Sequence, residues 1–186
     1  MKRFRYTVLT SAIAAAAVLL PSVASAQGSQ GLMEDLMKDL AQVEKKVLSL
    51  ARAIPESAYA WRPAEGVRST GEVFQHVAAD NYFLPVLAGT TPPAATGITK
   101  DYKTVEAFEK KPMSRDALIA EVEKSFAFLR TSMNATGTNL DTPVDMFGQK
   151  STTRGVWIAT LTHLHEHLGQ LIAYARSNKV VPPWSK

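Results

Sequence analysis

Residues 160–171 read TLTHLHEHLGQL, and this stretch decides how the rest of the chain is interpreted. It lies in a segment, from about Thr153 to Ser177, whose apolar residues recur at the spacing of an amphipathic helix. A polar line runs beside the apolar stripe. Such a line is costly unless it faces a wet cavity or a bound ion. The stretch therefore predicts a helix with a site on one face, along His163, His167, Gln170 and Tyr174.

The histidines of this segment have the spacing of a metal-binding pair. His163 and His167 are four residues apart, which on a helix puts both rings on one face, with Cβ atoms about 5–6 Å apart. His165 is rotated about 200° from each and is predicted to be a spectator. The remaining histidine, His76, can reach the pair only through the fold. Three imidazoles would suit a catalytic type of metal site, which keeps one coordination position open.

The N-terminal segment, residues 1–26, has the pattern of an export signal. It combines basic residues, an apolar run and a small-residue cleavage site at Ala24-Ser25-Ala26. An uncleaved membrane anchor is the alternative, although the apolar run is short for a span of about 20 residues. We expect a periplasmic or secreted protein, cleaved after Ala26, with no stable membrane anchor afterwards.

Without this leader the chain is close to neutral. The leader holds three basic and no acidic residues, so its removal lowers the formal net charge from +4 to +1. No basic stripe remains that would indicate nucleic-acid binding. The sequence contains no cysteine, which excludes a thiol nucleophile or a thiolate metal ligand from this chain.

Residues 27–186 are predicted to form one all-α domain, a four-helix bundle with a long crossover loop. No strand alternation of useful length is visible. The crossover, residues 89–112, could cover the mouth of a site, since compact domains seldom carry such loops without purpose. It contains a predicted short helix from Lys103 to Lys110. The long helices are predicted from Leu32 to Ala53, from Ser69 (capped with Glu72) to about Leu87, from Ser114 to about Met133, and over the histidine segment.

Asp80 is the candidate catalytic residue, because it lies one turn beyond His76 on the same face of the second helix. It could orient the imidazole, bind the metal itself, or be a solvated charge at the edge of the core. Glu166 is a second candidate proton carrier. It is the weaker one, since it points about 100° away from His167.

Several pieces of the sequence occur together in one known arrangement. They are Trp61-Arg62-Pro63 through Val67-Arg68-Ser69, then His76, the block His163-x-x-x-His167-x-Gly169-Gln170, and the closing Tyr174-Ala175-Arg176 with Val181-Pro182-Pro183-Trp184. In this order they resemble the DinB-like family of metal-dependent enzymes, which fold as four-helix bundles. The resemblance implies that His76, His163 and His167 bind a divalent metal, zinc or nickel. It also implies a low-molecular-weight thiol as cosubstrate, held as a thiolate that attacks an electrophile.

Three functions remain open at this point. The first is a metal-dependent enzyme acting on a small molecule, a thiol-dependent transferase or, with water as the nucleophile, a hydrolase. The second is a non-catalytic, exported metal-binding or stress-related bundle, in which a fourth ligand such as Asp80 saturates the metal. The third is a helical domain whose histidines bind nothing. A homodimer formed through helix faces is also compatible with the sequence.

Overall fold

The computed structural model describes residues 23–185, and its first helix, α1, spans Val23–Ala53. The predicted signal peptide lies almost entirely outside the described residues, so the leader and its cleavage stay predictions. Helix α1 begins before the predicted start at Leu32. The sequence has no proline between Pro21 and Pro55, so every residue there keeps the backbone donor that a helix needs.

Four further helices and one hairpin follow α1 in the described part of the chain. They are α2 (Thr70–Leu87), α3 (Tyr102–Glu109), α4 (Arg115–Thr136), strands β1 (Pro143–Met146) and β2 (Gln149–Thr152), and α5 (Thr153–Ser177). The predicted helical segments are found within a few residues of their expected bounds, apart from the early start of α1. The described helices number five rather than four, because α3 adds a short one to the four long ones. Within residues 23–185, no helix combines the length and the apolar character needed to cross a membrane.

Side-chain caps fix where the helices begin. Ser69 accepts a hydrogen bond from the Glu72 backbone, while the Glu72 carboxylate accepts one from the Ser69 backbone, so the predicted capping box is present. Ser114 caps α4 and Thr152 caps α5 in the simpler one-bond form. These caps set the helix registers, and so which residues face the interior.

The long helices pack into a closed arrangement around one core. Helices α1 and α2 each contact both α4 and α5. Each long helix contributes at least one large side chain with no exposed surface: Leu40, Phe74, Phe126 and Trp157. Burial of a side chain of this size contributes about 1.5–3 kcal/mol. The core therefore holds the helices at fixed positions around the site.

Helix α2 is buried on nearly all sides, since it also contacts α3 and β1. His76 and Asp80 are consequently buried although both are polar. Asp80 is only 7 % exposed, so its interpretation as a solvated charge at the edge of the core is wrong. A buried carboxylate needs a partner, because burial of an unpaired charge is very costly.

The crossover between α2 and α4 is anchored to α2. The Gln75 amide donates hydrogen bonds to the backbone oxygens of Phe108, at 2.9 Å, and Lys111, at 2.8 Å. Val105 and Phe108 bury one face of α3 in the core. The last residue of α3, Glu109, is thereby held beside α2.

The hairpin of β1 and β2 was not expected from the sequence. Its two antiparallel strands pair from Pro143↔Thr152 to Met146↔Gln149 and leave a two-residue turn, Phe147-Gly148. Both turn residues have positive φ, 59° and 81°, as in a type I′ turn. For a bulky residue such as Phe147 this backbone costs about 1–3 kcal/mol. The strands escape prediction because each has only four residues, none of them buried, and so short a segment is not recognisable as a strand from its sequence pattern.

Candidate metal centre

Three histidines from two helices meet at one point between α2 and α5. His76 lies on α2, and His163 and His167 lie one turn apart on α5. One ring nitrogen from each lies within 4.8 Å of the other two. The fold therefore does bring His76 to the pair, and the three donors are close enough to share one ion.

The rings are also oriented for a shared ligand. Ring centroids are 5.2 Å apart for His76 and His163, 4.6 Å for His76 and His167, and 4.4 Å for His163 and His167. Every pair is close to perpendicular, with interplanar angles of 77–83°. The rings therefore meet edge to face and do not stack on one another, an arrangement compatible with three imidazoles around one ion.

A carboxylate fixes the tautomer of His76. Its Nδ1 lies 2.5 Å from Glu109 Oε1. Burial by itself would raise the pKa of Glu109, but the hydrogen bonds and charges of His76 and Arg68 outweigh it, and the pKa lies below its ordinary value. Glu109 is therefore ionised near neutral pH and can only accept, so Nδ1 carries the proton. In the neutral imidazole, which is the form that binds a metal ion, the lone pair of His76 is then on Nε2.

A series of hydrogen bonds between uncharged groups fixes the tautomer of His167. The Tyr174 hydroxyl donates to the Arg68 carbonyl at 3.3 Å, and the Gln170 amide donates to the Tyr174 oxygen at 2.8 Å. The Gln170 carbonyl is left to accept from His167 Nδ1, at 2.9 Å. The lone pair of His167 is consequently also on Nε2. Such outer hydrogen bonds are what orient metal-ligating histidines.

His167 is a neutral imidazole near neutral pH. Burial lowers its pKa to about 4, which outweighs the opposite effect of the hydrogen bond to Gln170. The nearby rings of His163 and His76 lower the pKa as well. A neutral ring is the form that binds a metal ion.

His163 provides the test of whether a metal fits here. Its Nε2 lies 2.6 Å from Asp80 Oδ2, but the contact is not aligned as a hydrogen bond. This nitrogen is one of few buried polar atoms in the described residues that have no hydrogen-bond partner. The same Asp80 oxygen is 3.3 Å from His76 Nε2. A buried, unbonded nitrogen beside two other imidazoles and a carboxylate fits a cation, which would satisfy all four groups.

Comparison with known proteins identifies the family of this chain. The sequence model of the DinB superfamily matches residues 39–171. This chain belongs to the DinB superfamily. No curated protein matches it.

Solved structures give the fold of this DinB-superfamily chain independent support. A DinB-like protein from Bacillus cereus ATCC 10987 superimposes with a TM-score of 0.67 at 17 % identity, over 81 % of this chain and 95 % of that one. A DinB-like protein from Bacillus subtilis gives a TM-score of 0.58 at 20 % identity, over 82 % and 97 % of the two chains. At these identities the likeness shows the fold alone.

The other polar candidates of this DinB-superfamily chain lie away from the three rings. His165 points outward, as predicted, and its Nε2 contacts both oxygens of Asp39 on α1 at 3.0–3.1 Å. Glu166 is exposed and lies outside both groups of possible metal ligands in the described residues, the three histidines and the set of His76, Asp80 and Glu109. Asp80 is therefore the better placed of the two candidate proton carriers.

Two residues at the site had no role assigned from the sequence. Gln170 was visible as part of the polar line on α5, and its role is to orient His167. Glu109 had no such signal, since it lies on a short helix 33 residues from His76. It also forms an ion pair with Arg68 at 3.1 Å.

Tyr102, the first residue of α3, lies within electrostatic range of both carboxylates of the site. Burial raises the pKa of the Tyr102 hydroxyl, and the negative charges of Asp80 and Glu109 raise it further. The Tyr102 ring packs against Phe83 with centroids 5.6 Å apart. Tyr102 is nearly half exposed, so it lies at the surface of the bundle while its hydroxyl stays within electrostatic range of both carboxylates.

Proposed function

We propose that this chain is a metal-dependent enzyme acting on a small molecule, with His76, His163 and His167 as ligands of one zinc or nickel ion. The observation that carries the proposal is the convergence of the three rings, with donor atoms within 4.8 Å of one another. Hydrogen bonds at Nδ1 of His76 and His167 turn both Nε2 atoms toward the common point. Three protein ligands leave a coordination position for another molecule.

The chemistry follows from the groups around that position. When bound, a divalent ion would lower the pKa of a thiol or water that it coordinates, and so supply a nucleophile near neutral pH. Asp80 Oδ2 lies beside His163 Nε2 and would accept the proton that this nucleophile loses. A low-molecular-weight thiol as cosubstrate makes the reaction a transfer, and water makes it a hydrolysis.

A second candidate rests on the same carboxylate. Asp80 Oδ2 is near both His163 Nε2 and His76 Nε2, at 2.6 and 3.3 Å, so it could serve as a fourth ligand. Four protein ligands would saturate the ion, as in structural zinc sites. The protein would then be a non-catalytic, exported metal-binding or stress-related bundle.

Elemental analysis of residues 27–186 tests the metal site. We expect about one equivalent of zinc or nickel in the unaltered protein and none in the His163→Ala, His167→Ala double variant. His165→Ala is the matched control, because it removes a histidine from the same helix that points away from the site. No bound metal in the unaltered protein, even after reconstitution, would contradict both candidates.

An Asp80→Asn variant separates the two candidates. If Asp80 carries a proton, the variant keeps its metal but loses turnover of thiol-acceptor, ester or amide substrates. If Asp80 is a ligand, metal affinity falls in the variant, and the unaltered protein has no exchangeable ligand. Titration with cobalt, whose absorption reports the number and type of ligands, distinguishes these outcomes.

Export and assembly are proposed from the sequence. Cleavage after Ala26 would release a periplasmic or secreted protein whose N-terminus is Gln27. Mass spectrometry of the product exported by a bacterial host tests this cleavage site. A homodimer would appear as a doubled mass in light scattering.

A further inference from the structure

A cleft lined by aromatic rings opens at the C-terminal end of α2, the helix that also carries His76 and Asp80. It has a volume of about 560 Å³ and lies between the end of α2, the crossover and the hairpin. Three of its lining residues are aromatic, Phe83, Tyr102 and Phe147, and its polar lining includes Lys100 and Asp145. The volume lies within the range of about 300–1,000 Å³ that small-molecule sites occupy, and a protein partner would need a larger surface.

One face of α2 carries both site residues and a residue of the cleft. His76, Asp80 and Phe83 follow one another on α2 at spacings of four and three residues, so they share a face. Phe83 lies about 5 Å farther along the axis than Asp80. The Tyr102 ring packs against Phe83, and the charges of Asp80 and Glu109 raise the pKa of the Tyr102 hydroxyl. A molecule with its reactive atom at the histidines therefore needs to extend about one helical turn beyond Asp80 to reach the cleft.

Phe147 is held over this cleft in a conformation that its own side chain disfavours. It occupies a positive-φ position of the hairpin turn, where asparagine is the usual residue before glycine. Its ring is 61 % exposed, so it adds little to the core. The ring centroid lies 6.2 Å from that of Phe83, at an interplanar angle of 34°. The turn disfavours an aromatic side chain at this position, and the core gains little from one. A ligand lying against the ring would explain its presence.

We propose that this cleft binds the flat, aromatic part of the small molecule on which the metal centre acts. The proposal rests on the proposed function, because the metal centre supplies the reactive end. The Phe83 and Tyr102 rings are nearly perpendicular, at 76°, while Phe83 and Phe147 are only tilted. An aryl group in the cleft would contact these rings edge to face or offset-stacked, the arrangements that aromatic groups prefer.

The test compares two alkyl thiols on the cobalt-loaded protein. The probes are 2-naphthylmethanethiol and ethanethiol, whose sulfur atoms are chemically similar and whose bodies differ in the aromatic group. Cobalt–thiolate absorption reports binding of both. We expect 2-naphthylmethanethiol to bind roughly tenfold more tightly. Equal affinities for the two thiols would overturn the proposal.

Variants at the turn identify the cleft as the source of the preference. Phe147→Asn creates the favoured Asn-Gly turn, so the hairpin keeps its fold while the ring is lost. We expect this variant to lose the preference for the naphthyl thiol and to bind ethanethiol as before. Phe147→Tyr retains a ring and should retain the preference. A preference that survives in Phe147→Asn would place the aromatic group elsewhere and refute the assignment.

A metal-free measurement separates this proposal from the proposed function. 2-Naphthylmethanol has the aromatic body without the thiol, and its binding to the metal-free protein can be followed by chemical-shift changes. Binding that Phe147→Asn weakens supports the cleft even if no metal is taken up. Binding that Phe147→Asn leaves unchanged, or no binding, together with normal cobalt uptake, would overturn the cleft and leave the metal centre standing.

Discussion

At the candidate metal centre, hydrogen bonds decide which ring nitrogens are free. The Glu109 carboxylate holds the proton of His76 on Nδ1, and Gln170 does so for His167. The two acceptors differ in kind, because Glu109 is charged and Gln170 is neutral. A charged acceptor also makes the ring a stronger donor to a cation. Glu109 should therefore matter more for metal affinity than its distance along the chain from the histidines suggests.

The first residue-scale prediction concerns Glu109→Ala. We expect this variant to bind zinc or nickel about 10–100-fold more weakly, since His76 loses the group that orients it. Competition with a chelator of known affinity measures the change. Glu106→Ala is the matched control, because Glu106 is an exposed residue of the same helix. Equal affinities in the two variants would show that Glu109 does not act on the metal through His76.

At the scale of elements, α2 and the crossover position the site. Helix α2 carries both His76 and Asp80 and is buried on nearly all sides. The crossover brings Glu109 to the other side of His76 and is fixed by Gln75. The start of α2 is fixed by the capping box of Ser69 and Glu72. A change at this cap therefore acts on the element that holds two of the site's polar residues.

Replacement of the cap residue tests its contribution. We expect Ser69→Ala to lower the free energy of unfolding by about 0.5–2 kcal/mol, because the Glu72 backbone donor loses its acceptor. Urea unfolding of the metal-free protein measures this change. Ser69→Thr keeps the hydroxyl and should cost much less. If threonine destabilised the protein as strongly as alanine, the loss would come from packing around this buried position and not from the cap.

At the scale of the whole molecule, a bound ion would join parts of the chain that are far apart in sequence. His76 and His163 come from helices packed against each other, and Glu109 links the crossover to His76 through its hydrogen bond. An ion that binds only the folded state stabilises it according to its concentration and affinity. Global stability is thus a readout of the site that does not depend on knowing the substrate.

Thermal unfolding with and without metal tests this link. At zinc concentrations 100-fold above the dissociation constant we expect a gain of about 2.7 kcal/mol, and so a rise in Tm of several degrees that a chelator reverses. His163→Ala should remove the rise, and His165→Ala should keep it. A rise that persisted in His163→Ala would mean that the ion binds elsewhere.

What the sequence by itself determined is the local part of the architecture. The positions of α2, α4 and α5 follow from apolar periodicity and from caps such as Ser69, which act within a few residues. The line of His163 and His167 on α5 follows from the same periodicity. The start of α1 was not predicted, because no proline near the expected start at Leu32 stops the helix from extending back to Val23. The hairpin was not predicted, because its strands have only four residues each.

What only the tertiary structure decided is how distant residues meet. It brought His76 to the α5 pair, buried Asp80 against His163 and placed Glu109 behind His76. It also set the Phe147 ring against Phe83. Local spacing fixes which face of a helix a residue occupies, but the approach of two faces depends on the path of the intervening chain and on the packing of the whole core. Helix-level features of the site were therefore predictable, whereas the orientation of its ligands was not.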